Sequence, residues 1–356
     1  MAKQIRAGVI GAGMIGKAHL HNYSEMPEVE VVGLADLRED EAQRVAAQHG
    51  IPQVVTDYRK LLARDDIDTI DVCLPNNLHC PVTCDALNAG KHVYCEKPMA
   101  MTGREARKML AAAQRNKRLL AIQLGTLFSA GARGAKRLIE EGALGRVFYA
   151  KASYYRRRGR CYVDGYATPP FVQKAQAGGG TMADMGVYHM GLVVWLLGNP
   201  RPLTVSASTF QEVPMDAKRR KESGYDVEET AMGFVRFAGN ITAYFEESWA
   251  MHAEGGDGIR VFGSHGGVKL EPLTLYTDVA GIEVDAVVKA GDFEGRRSMI
   301  DPNFQGFRSP QHNFVWAVLG RVPLVGSAQV LTTVAEITEA MYKSGESGKE
   351  IVFRAK

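Results

Sequence analysis

Three observations predict an α/β protein built from two domains. The 356 residues exceed what one ordinary hydrophobic core accommodates. Up to residue 124, short strand-like runs alternate with helical stretches, which predicts a parallel sheet with helical crossovers. Beyond that point, long strand-like runs follow one another, which predicts an antiparallel or mixed sheet, expected here to be mainly antiparallel. We therefore expect one domain at 1–124 and a second α/β domain at 125–356.

The strands expected in the first domain are short apolar runs rich in β-branched residues. They lie at 5–11, 29–36, 68–75, 91–98 and 118–124. Helical stretches between them lie at 59–63, 81–89 and 103–114.

The second domain is expected to open with a helix at 131–142 and a strand at 146–158. A helix at 181–197 is predicted to end at Gly198, with Pro200 beyond. Strand-like runs then lie at 203–210, 229–237, 240–249, 258–263 and 267–278, and helices return at 310–320 and 327–344. We interpret the polar segment at 216–224 as a solvated loop.

Composition excludes several classes of protein. A net charge of +3 gives no strong attraction to nucleic acid or to a membrane surface. No apolar run approaches the roughly 18–20 residues that span a bilayer, and the early strand pattern leaves no room for a signal peptide. The five cysteines match no zinc-binding pattern and fit a reducing compartment. We expect a cytoplasmic protein with no metal and no nucleic-acid or membrane partner.

The segment "GVIGAGMIGKAHL" carries a dinucleotide-binding fingerprint. Gly11, Gly13 and Gly16 form a G-x-G-x-x-G that follows the first strand and opens a helix. Gly11 allows the tight turn, Gly13 lets the backbone approach a pyrophosphate, and Gly16 lets the helix pack closely on the strand. The N-terminus of that helix offers N–H groups and partial positive charge to phosphates. This context predicts a Rossmann domain.

The choice of cofactor depends on Asp36, which closes the second strand 20 residues beyond Gly16. Its carboxylate can accept hydrogen bonds from the adenine ribose hydroxyls and repels a 2′-phosphate, so NAD is predicted in preference to NADP. Arg38 either pairs with a phosphate or is a solvated residue at a helix start. The predicted cofactor contacts also include three apolar residues of these segments, Met14, Ile15 and Leu37.

A lysine follows the fourth strand of the first domain. Lys97 lies in the sequence "EKP", at the carboxyl end of a parallel strand, where ligands of such sheets bind. It can hydrogen-bond a substrate hydroxyl and stabilise the developing oxyanion. The alternative is a surface Glu–Lys pair ended by Pro98.

Three segments together resemble the Gfo/Idh/MocA oxidoreductases: "GVIGAGMIGKAHL", "CLPNNLHCPVTCDALNAGKHVYCEKPMA" and "AGGGTMADMGVYHMGLVVWLLG". The C-terminal "ITEAMYKSGESGKEIVF" is similar to the closing helix and strand of that family. The resemblance implies that Lys97 contacts substrate and nicotinamide. It also implies that four further residues lie along the cofactor: Pro75, Asn76, His79 and Glu96. Finally, it implies an open sheet used for oligomerisation, and hence a homodimer or homotetramer.

The stretch "GGGTMADMGVYHMG" holds the remaining candidate catalytic residues. Thr181 and Asp184 fit a capping box, which is the structural interpretation of Asp184. Asp184 and Tyr188 are also i and i+4 on one helix face, and the resemblance implies that the residue at i+4 is the acid/base. His189 lies beside it, and an unperturbed imidazole suits proton transfer near neutral pH better than an unperturbed phenol. Tyr188 and His189 both remain candidates, and a core histidine held by a neighbour is the alternative for His189.

These residues predict an NAD-dependent dehydrogenase that oxidises a secondary hydroxyl of a sugar, glycoside or cyclitol. The base removes the hydroxyl proton while hydride passes to nicotinamide, Lys97 stabilises the oxygen and Asp184 orients the polar network. Two alternatives share the fold: an NAD-binding sensor without catalysis, and an NAD-assisted glycoside hydrolase. Leu127 and Gly191 depart from the inositol dehydrogenase pattern. The arginines of 154–162 either grip an acidic sugar or are solvated or interfacial.

Overall fold

The computed structural model describes residues 4–288 and 309–354. Contacts divide the chain into two compact units. The first contains the described residues of Met1–Ala100, Arg104–Gln123 and Ser298–Ala328, and the second those of Met101–Gly103, Leu124–Arg297 and Gln329–Lys356. This division differs from the predicted one near the C-terminus, because Phe314 and Val315 are buried in hydrophobic clusters of the first unit.

The first unit is built on a parallel sheet of six described strands. They are β1 (Ile5–Ile10), β2 (Val29–Ala35), β3 (Val54–Val55), β4 (Thr69–Val72), β5 (His92–Cys95) and β6 (Leu120–Ile122). Their order is β3-β2-β1-β4-β5-β6, and every neighbouring pair is parallel. This is the doubly wound order of dinucleotide-binding domains, and it confirms the predicted class. The two-residue strand β3 was not predicted because it is too short to show a pattern.

The second unit is built on a sheet of nine described strands. They are β7 (Val147–Tyr155), β8 (Pro202–Phe210), β9 (Thr230–Phe237), β10 (Ile241–Ser248), β11 (Gly258–Gly263), β12 (Gly266–Leu270), β13 (Leu273–Val279), β14 (Ile282–Val287) and β15 (Ile351–Val352). Their order is β14-β13-β12-β11-β7-β10-β9-β8-β15, and only the β7–β10 pair is parallel. The prediction of a mainly antiparallel sheet is confirmed. The single run predicted at 267–278 is two strands, because the chain turns back at Glu271 and Pro272.

Along the chain, the described helices lie between these strands. They are α1 (Met14–Ser24), α2 (Glu39–His49), α3 (Arg59–Leu62), α4 (Asn76–Asn88), α5 (Gly103–Asn116), α6 (Ala130–Glu140), α7 (Lys174–Ala177), α8 (Val187–Leu196), α9 (Ala217–Ser223), α10 (Pro310–Val318) and α11 (Ser327–Ser347). Short 3-10 turns lie at Gly125–Phe128 and Pro169–Val172, and a π turn at Met182–Gly186 leads into α8. None of the described helices is both long and apolar enough to cross a membrane.

The loop predicted at 216–224 is wrong, because most of it is helix α9. The Asp216 side chain accepts the N–H of Arg219 and caps the helix N-terminus. Gly224, with a φ of 62°, ends it in the left-handed conformation. The polar composition suggested a loop, but a capped helix exposes polar residues equally well.

The central strands of the second sheet have one buried face. Ala150, Val235, Ala243 and Phe245 are fully or almost fully buried on it. Because side chains alternate along a strand, the neighbouring positions of β7, β9 and β10 point to the opposite face. Phe234 on that face is 51% exposed. The sheet therefore has a packed face and an open face.

Candidate active site

The glycine-rich loop after β1 has the geometry of a phosphate-binding turn. Gly11 has a φ of 109°, and a Cβ on it would lie 2.2 Å from the carbonyl oxygen of Cys73. A Cβ on Gly16 would lie 1.9 Å from the carbonyl oxygen of Gly11, so α1 packs directly on the loop. At Gly13, by contrast, no atom of the described chain lies within 4 Å of an added Cβ. The backbone at Gly13 is thus open to a pyrophosphate, as the fingerprint requires.

Asp36 is held in place beside this loop by two backbone groups. Its Oδ2 accepts the N–H of Ala12 at 2.8 Å, and its Oδ1 accepts the N–H of Arg38 at 2.9 Å. A carboxylate oxygen has more than one acceptor position, so both oxygens keep capacity for ribose hydroxyls. The Arg38 side chain is largely exposed, and its Nε lies 3.5 Å from Asp36 Oδ1. The Arg38 side chain therefore lies close to the Asp36 carboxylate.

Large apolar side chains are exposed around the same loop. Met14 is 75% exposed and Leu37 is 87% exposed, and Ile15 is also exposed. Uncovered apolar groups beside an anion-binding turn are the surroundings expected for an adenine ring and its ribose. The residues present thus fit a bound NAD, with the phosphates at the N-terminus of α1.

The start of α4 carries three further predicted residues. Pro75 is its N-cap and is exposed, and Asn76 is half-buried in the first turn. His79, however, is fully buried, with Nδ1 2.7 Å from the carbonyl oxygen of Pro98 and Nε2 2.8 Å from that of Leu74. Burial lowers the pKa of His79. The His79 ring thus joins two loops with both ring nitrogens facing the protein, and its place along the cofactor stays a prediction.

Glu96 and Lys97 directly follow β5. Glu96 is buried, and its Oε2 accepts the N–H of Lys97 at 3.0 Å, while its Oε1 lies 3.0 Å from Nε2 of His19. Lys97 is half-buried. The Glu96 carboxylate thus holds the backbone of Lys97, and the place of Glu96 along the cofactor stays a prediction.

In the second unit, the predicted capping box at Thr181 and Asp184 is wrong. The Thr181 side chain makes no cap, and the segment after it is a π turn rather than the start of an α-helix. The carboxylate of Glu228 accepts the N–H of Gly180 at 2.7 Å and that of Met182 at 3.0 Å. Glu228 therefore accepts hydrogen bonds from the N–H groups at this helix start, although it is 46 residues from Met182 in the sequence. Since Asp184 lies inside the π turn, the regular i,i+4 spacing that paired it with Tyr188 does not apply.

His189 and Glu247 form an acid–imidazole pair in which the carboxylate is buried and the imidazole is partly exposed. His189 Nδ1 donates to Glu247 Oε1 at 2.7 Å, and the imidazole stacks on Tyr154 with ring centroids 3.5 Å apart. The side chain of Glu247 is 1% exposed, and its Oε2 has no hydrogen-bond partner in the described residues. Burial raises the pKa of Glu247, and the hydrogen bond from His189 opposes that rise. With Nδ1 committed to Glu247, Nε2 is the nitrogen available for proton transfer.

Asp184, Tyr166 and Arg156 belong to the same region of the second unit. Burial is the main cause that raises the pKa of both Glu247 and Tyr166, and the negative charge of Asp184 adds to both shifts. Arg156 Nη1 donates to the Tyr166 hydroxyl at 2.7 Å, and the Arg156 charge opposes the rise at Glu247. The charge of Asp184 thus acts on Glu247, the hydrogen-bond partner of His189. Tyr188 is half-buried, and its carbonyl oxygen accepts the hydroxyl of Thr126 at 3.3 Å.

The arginines of 154–162 do not act as one group. Arg160 is 2% exposed and pairs with Glu229 at 3.0 Å and with Asp164 at 2.9 Å. The expectation that it is solvated or grips a ligand is wrong, because it neutralises buried carboxylates. Arg156, Arg157 and Arg158 are exposed.

One cluster of donors in the first unit has the spacing of a metal site. Donor atoms of His19, Asp71 and Cys73 lie within 4.8 Å of one another. His19 Nδ1 already donates to Asp71 Oδ2 at 2.9 Å. Burial raises the pKa of the Cys73 thiol, so its thiolate, the metal-binding form, is disfavoured. Hydrogen bonding accounts for this cluster.

Comparison with known proteins identifies the family. Residues 5–124 match the family model described as "Oxidoreductase family, NAD-binding Rossmann fold", and residues 132–269 match the "GFO/IDH/MocA C-terminal domain". The chain belongs to the Gfo/Idh/MocA oxidoreductase family. It is an oxidoreductase, and its cofactor is NAD.

Several relatives of this oxidoreductase have named activities. It is 28% identical to D-glucoside 3-dehydrogenase of Escherichia coli K12, covering 98% of this chain and 97% of the relative. It is 28% identical to levoglucosan dehydrogenase of Pseudarthrobacter phenanthrenivorans, covering 74% and 72%. It is 31% identical to inositol 2-dehydrogenase of Salmonella typhimurium, covering 54% of each.

Two solved structures have the same fold. Levoglucosan dehydrogenase in complex with NADH superposes with a TM-score of 0.83 at 23% identity, covering 98% of this chain and 99% of the other. GenD2 from gentamicin A biosynthesis, in complex with NAD, gives a TM-score of 0.75 at 25% identity, covering 100% and 98%.

Sequence reasoning missed four residues that the structure brings to the candidate sites: His19, Asp71, Glu228 and Glu247. For two of them, the sequence contains a pattern that could have indicated their role. Asp71 is a charged residue within the buried parallel strand β4. Glu247 follows Ala243 and Phe245 at every second position of β10, so its side chain points to the same buried face. A carboxylate at a buried strand position needs a partner, so such a residue points to a buried polar site.

Proposed function

We propose that this oxidoreductase oxidises a secondary hydroxyl of a sugar, glycoside or cyclitol, with hydride passing to NAD. The single observation that carries the proposal is the hydrogen bond from His189 Nδ1 to buried Glu247 at 2.7 Å. Bound NAD supplies the hydride acceptor. The relatives named for dehydrogenation of glucosides, levoglucosan and inositol support this class of substrate.

His189 is the proposed acid/base. Glu247 fixes its tautomer and orientation, and Tyr154 restricts the ring by stacking. Nε2 then accepts the proton of the substrate hydroxyl, and the Glu247 carboxylate stabilises the imidazolium that forms. Tyr188, the residue four positions after Asp184, is the competing candidate.

Lys97 and Asp184 have supporting roles in this proposal. The Lys97 ammonium donates to the substrate oxygen and stabilises its developing negative charge. Asp184 orients polar groups around His189. Arg156 and Tyr166, both exposed and hydrogen-bonded to each other, are suited to binding further substrate hydroxyls. Leu127 is fully buried, and Gly191 packs against Leu124 and Leu331, so neither departure from the inositol dehydrogenase pattern offers a polar substrate contact.

The substrate test is a screen of levoglucosan, D-glucosides and myo-inositol with NAD and NADP, followed by NADH fluorescence. We expect NADH formation with at least one of them. NAD binding without any turnover across the panel would favour a sensor instead, and cleavage of a glucoside without net NADH would favour an NAD-assisted hydrolase.

The residue test compares four variants on the best substrate. Lys97→Ala is expected to lower kcat at least 10²-fold with little change in NADH affinity, the scale for losing a positioned oxyanion or proton-transfer group. Asp184→Asn is expected to lower kcat because it removes the charge. His189→Asn is expected to lose far more kcat than Tyr188→Phe. A larger loss in Tyr188→Phe would move the acid/base role to the phenol.

We further propose that the first unit binds the cofactor and that the second binds substrate and forms a homodimer or homotetramer through its open sheet face. That face carries paired aromatic rings, Phe234 with Tyr244 at 5.0 Å and Tyr149 with Phe262 at 5.4 Å. We expect the protein to act in the cytoplasm, because all five cysteines are free thiols.

A further inference from the structure

The first unit contains a buried chain of three ionisable side chains that the proposed reaction does not use. Asp71 on β4, His19 on α1 and Glu96 after β5 are at most 9% exposed. His19 Nδ1 lies 2.9 Å from Asp71 Oδ2, and His19 Nε2 lies 3.0 Å from Glu96 Oε1. Burial of charged groups is costly unless they are paired and hydrogen-bonded. The three residues therefore form one unit in which His19 is the centre.

His19 must donate from both ring nitrogens to satisfy two carboxylates. A neutral imidazole has only one N–H, so this geometry corresponds to the imidazolium form. Burial by itself lowers the pKa of His19, while the charge of Asp71 and its hydrogen bond act in the opposite direction, and the net shift of the pKa is upward. Gln311 Nε2 approaches Asp71 Oδ2 at 3.3 Å and supports the far end of the chain.

The near end of the chain holds the backbone of Lys97. The second oxygen of Glu96 accepts the Lys97 N–H at 3.0 Å. On the other side, the carbonyl oxygen of Pro98 lies 2.7 Å from Nδ1 of buried His79. The two residues that flank Lys97 each contact a different buried histidine: Glu96 contacts His19, and Pro98 contacts His79. A backbone held on both sides of a residue fixes the point from which its side chain extends, which is one way in which supporting residues place a functional group.

We propose that His19 is a positioning residue for Lys97. It holds Glu96, and Glu96 fixes the Lys97 backbone, so that the ammonium is placed before substrate binds. The inference rests on the proposed role of Lys97, and it adds His19, Asp71 and Glu96 to the residues on which the reaction depends.

The main experiment measures kcat, KM, NADH affinity and Tm for His19→Gln with the best substrate of the screen. We expect kcat to fall at least tenfold while the NADH dissociation constant changes less than threefold. Adding His19→Gln to Lys97→Ala is expected to cause no further loss in kcat, because His19 acts through Lys97. Losses that multiply in the double variant would overturn the proposal.

The matched control is Asn313→Ala, which removes two hydrogen bonds of another buried polar side chain in the first unit, one to the carbonyl oxygen of Pro323 at 3.1 Å and one from the N–H of Val325 at 3.0 Å. We expect it to lower Tm while kcat stays within twofold of the wild type. An equal loss of kcat in Asn313→Ala and His19→Gln at similar Tm would mean general destabilisation and would refute a positioning role.

A second variant keeps the test decisive if His19→Gln does not fold. His19→Gln with Glu96→Gln replaces two charges by a pair of amides that can hydrogen-bond to each other, and the amide introduced at position 96 keeps an acceptor for the Lys97 N–H. Recovery of both Tm and kcat towards the wild type supports the proposal, and recovery of Tm alone overturns it. If Lys97→Ala itself retains near wild-type kcat, the proposed function fails; if it is inactive while His19→Gln is normal, only this inference fails.

Discussion

At the scale of single residues, the contact of His189 with Glu247 distinguishes two neighbouring candidates for one role. Tyr188 and His189 are adjacent in sequence, and the i,i+4 spacing favoured the tyrosine. The structure gives His189 a buried carboxylate partner at 2.7 Å and an aromatic surface to stack on. A partner of this kind orients the imidazole and stabilises its protonated form, which is what an acid/base requires.

We therefore predict that Glu247→Gln lowers kcat about 10²-fold or more, because the amide removes the charge that stabilises the imidazolium. NADH affinity should stay within threefold. The measurement is steady-state kinetics across pH. Glu246→Gln is the matched control, since Glu246 precedes Glu247 on β10 and points to the opposite, open face. If both variants keep wild-type kcat, the His189–Glu247 pair is structural.

A second prediction at this scale concerns Asp36. Asp36→Asn keeps an oxygen that can accept the N–H of Ala12 or of Arg38, but it removes the charge that repels a 2′-phosphate. We expect the ratio of kcat/KM for NAD to that for NADP to fall at least tenfold. The ratio is measured on one substrate with both cofactors. An unchanged ratio would show that other groups decide between the cofactors.

At the scale of secondary-structure elements, charged side chains join helices beside the cofactor site. Glu41 on α2 hydrogen-bonds to Lys17 on α1 and to Arg44 within α2. These hydrogen bonds lower the pKa of Glu41 from its ordinary 4.5 to about 2. Because the carboxylate is favoured in the folded state, its contribution to stability is present above pH 4.5 and is lost as pH falls towards 2.

We predict that Glu41→Gln has a lower Tm than the wild type at pH 6 and that this difference closes as pH falls from about 4.5 to about 2. Thermal unfolding followed by circular dichroism over this range is the measurement. The difference at pH 6 should shrink in about 1 M salt, which screens exposed pairs. A Tm difference that is independent of pH would mean that Glu41 contributes through packing alone.

The two wrong expectations at this scale have different causes. The loop predicted at 216–224 is a capped helix, and the capping box predicted at Thr181 is replaced by Glu228. In the first case, the sequence contains the cap residues Asp216 and Gly224, but the polar composition of the segment led to the prediction of a loop. In the second, the cap comes from a residue distant in sequence, so no local pattern could indicate it.

At the scale of the whole molecule, the described residues of the second unit leave the open face of the nine-stranded sheet uncovered. An exposed apolar sheet face of this kind indicates an association surface. We predict that Phe234→Glu converts the protein to a 38.9 kDa monomer at micromolar concentration, because it places a charge in the aromatic patch. Sedimentation velocity measures the change.

Phe148→Glu is the matched control for this prediction. Phe148 is 41% exposed. It is separated from buried Ala150 and Ala152 by two and four positions on the same strand, so its side chain points to the packed face of the sheet rather than to the open face. It should leave the oligomer intact. A wild-type protein that sediments only as a monomer would contradict the proposed oligomer itself.

The sequence by itself determined the features that depend on neighbouring residues. The alternation of strands and helices, the glycine turn at Gly11, the position of Asp36 after β2 and that of Lys97 after β5 all follow from local patterns. They could be read because strand periodicity, turn glycines and the carboxyl ends of parallel strands act over a few residues.

Tertiary structure decided which side chains meet. Glu247 is 58 residues from His189, and Asp71 and Glu96 are 52 and 77 residues from His19. Such pairs depend on strand register and on how a helix lies across a sheet, and neither is encoded in the spacing of the residues that meet. The same holds for His79 and Glu96, which the family resemblance places along the cofactor: only the tertiary structure shows that both are buried and that they support the loop that carries Lys97.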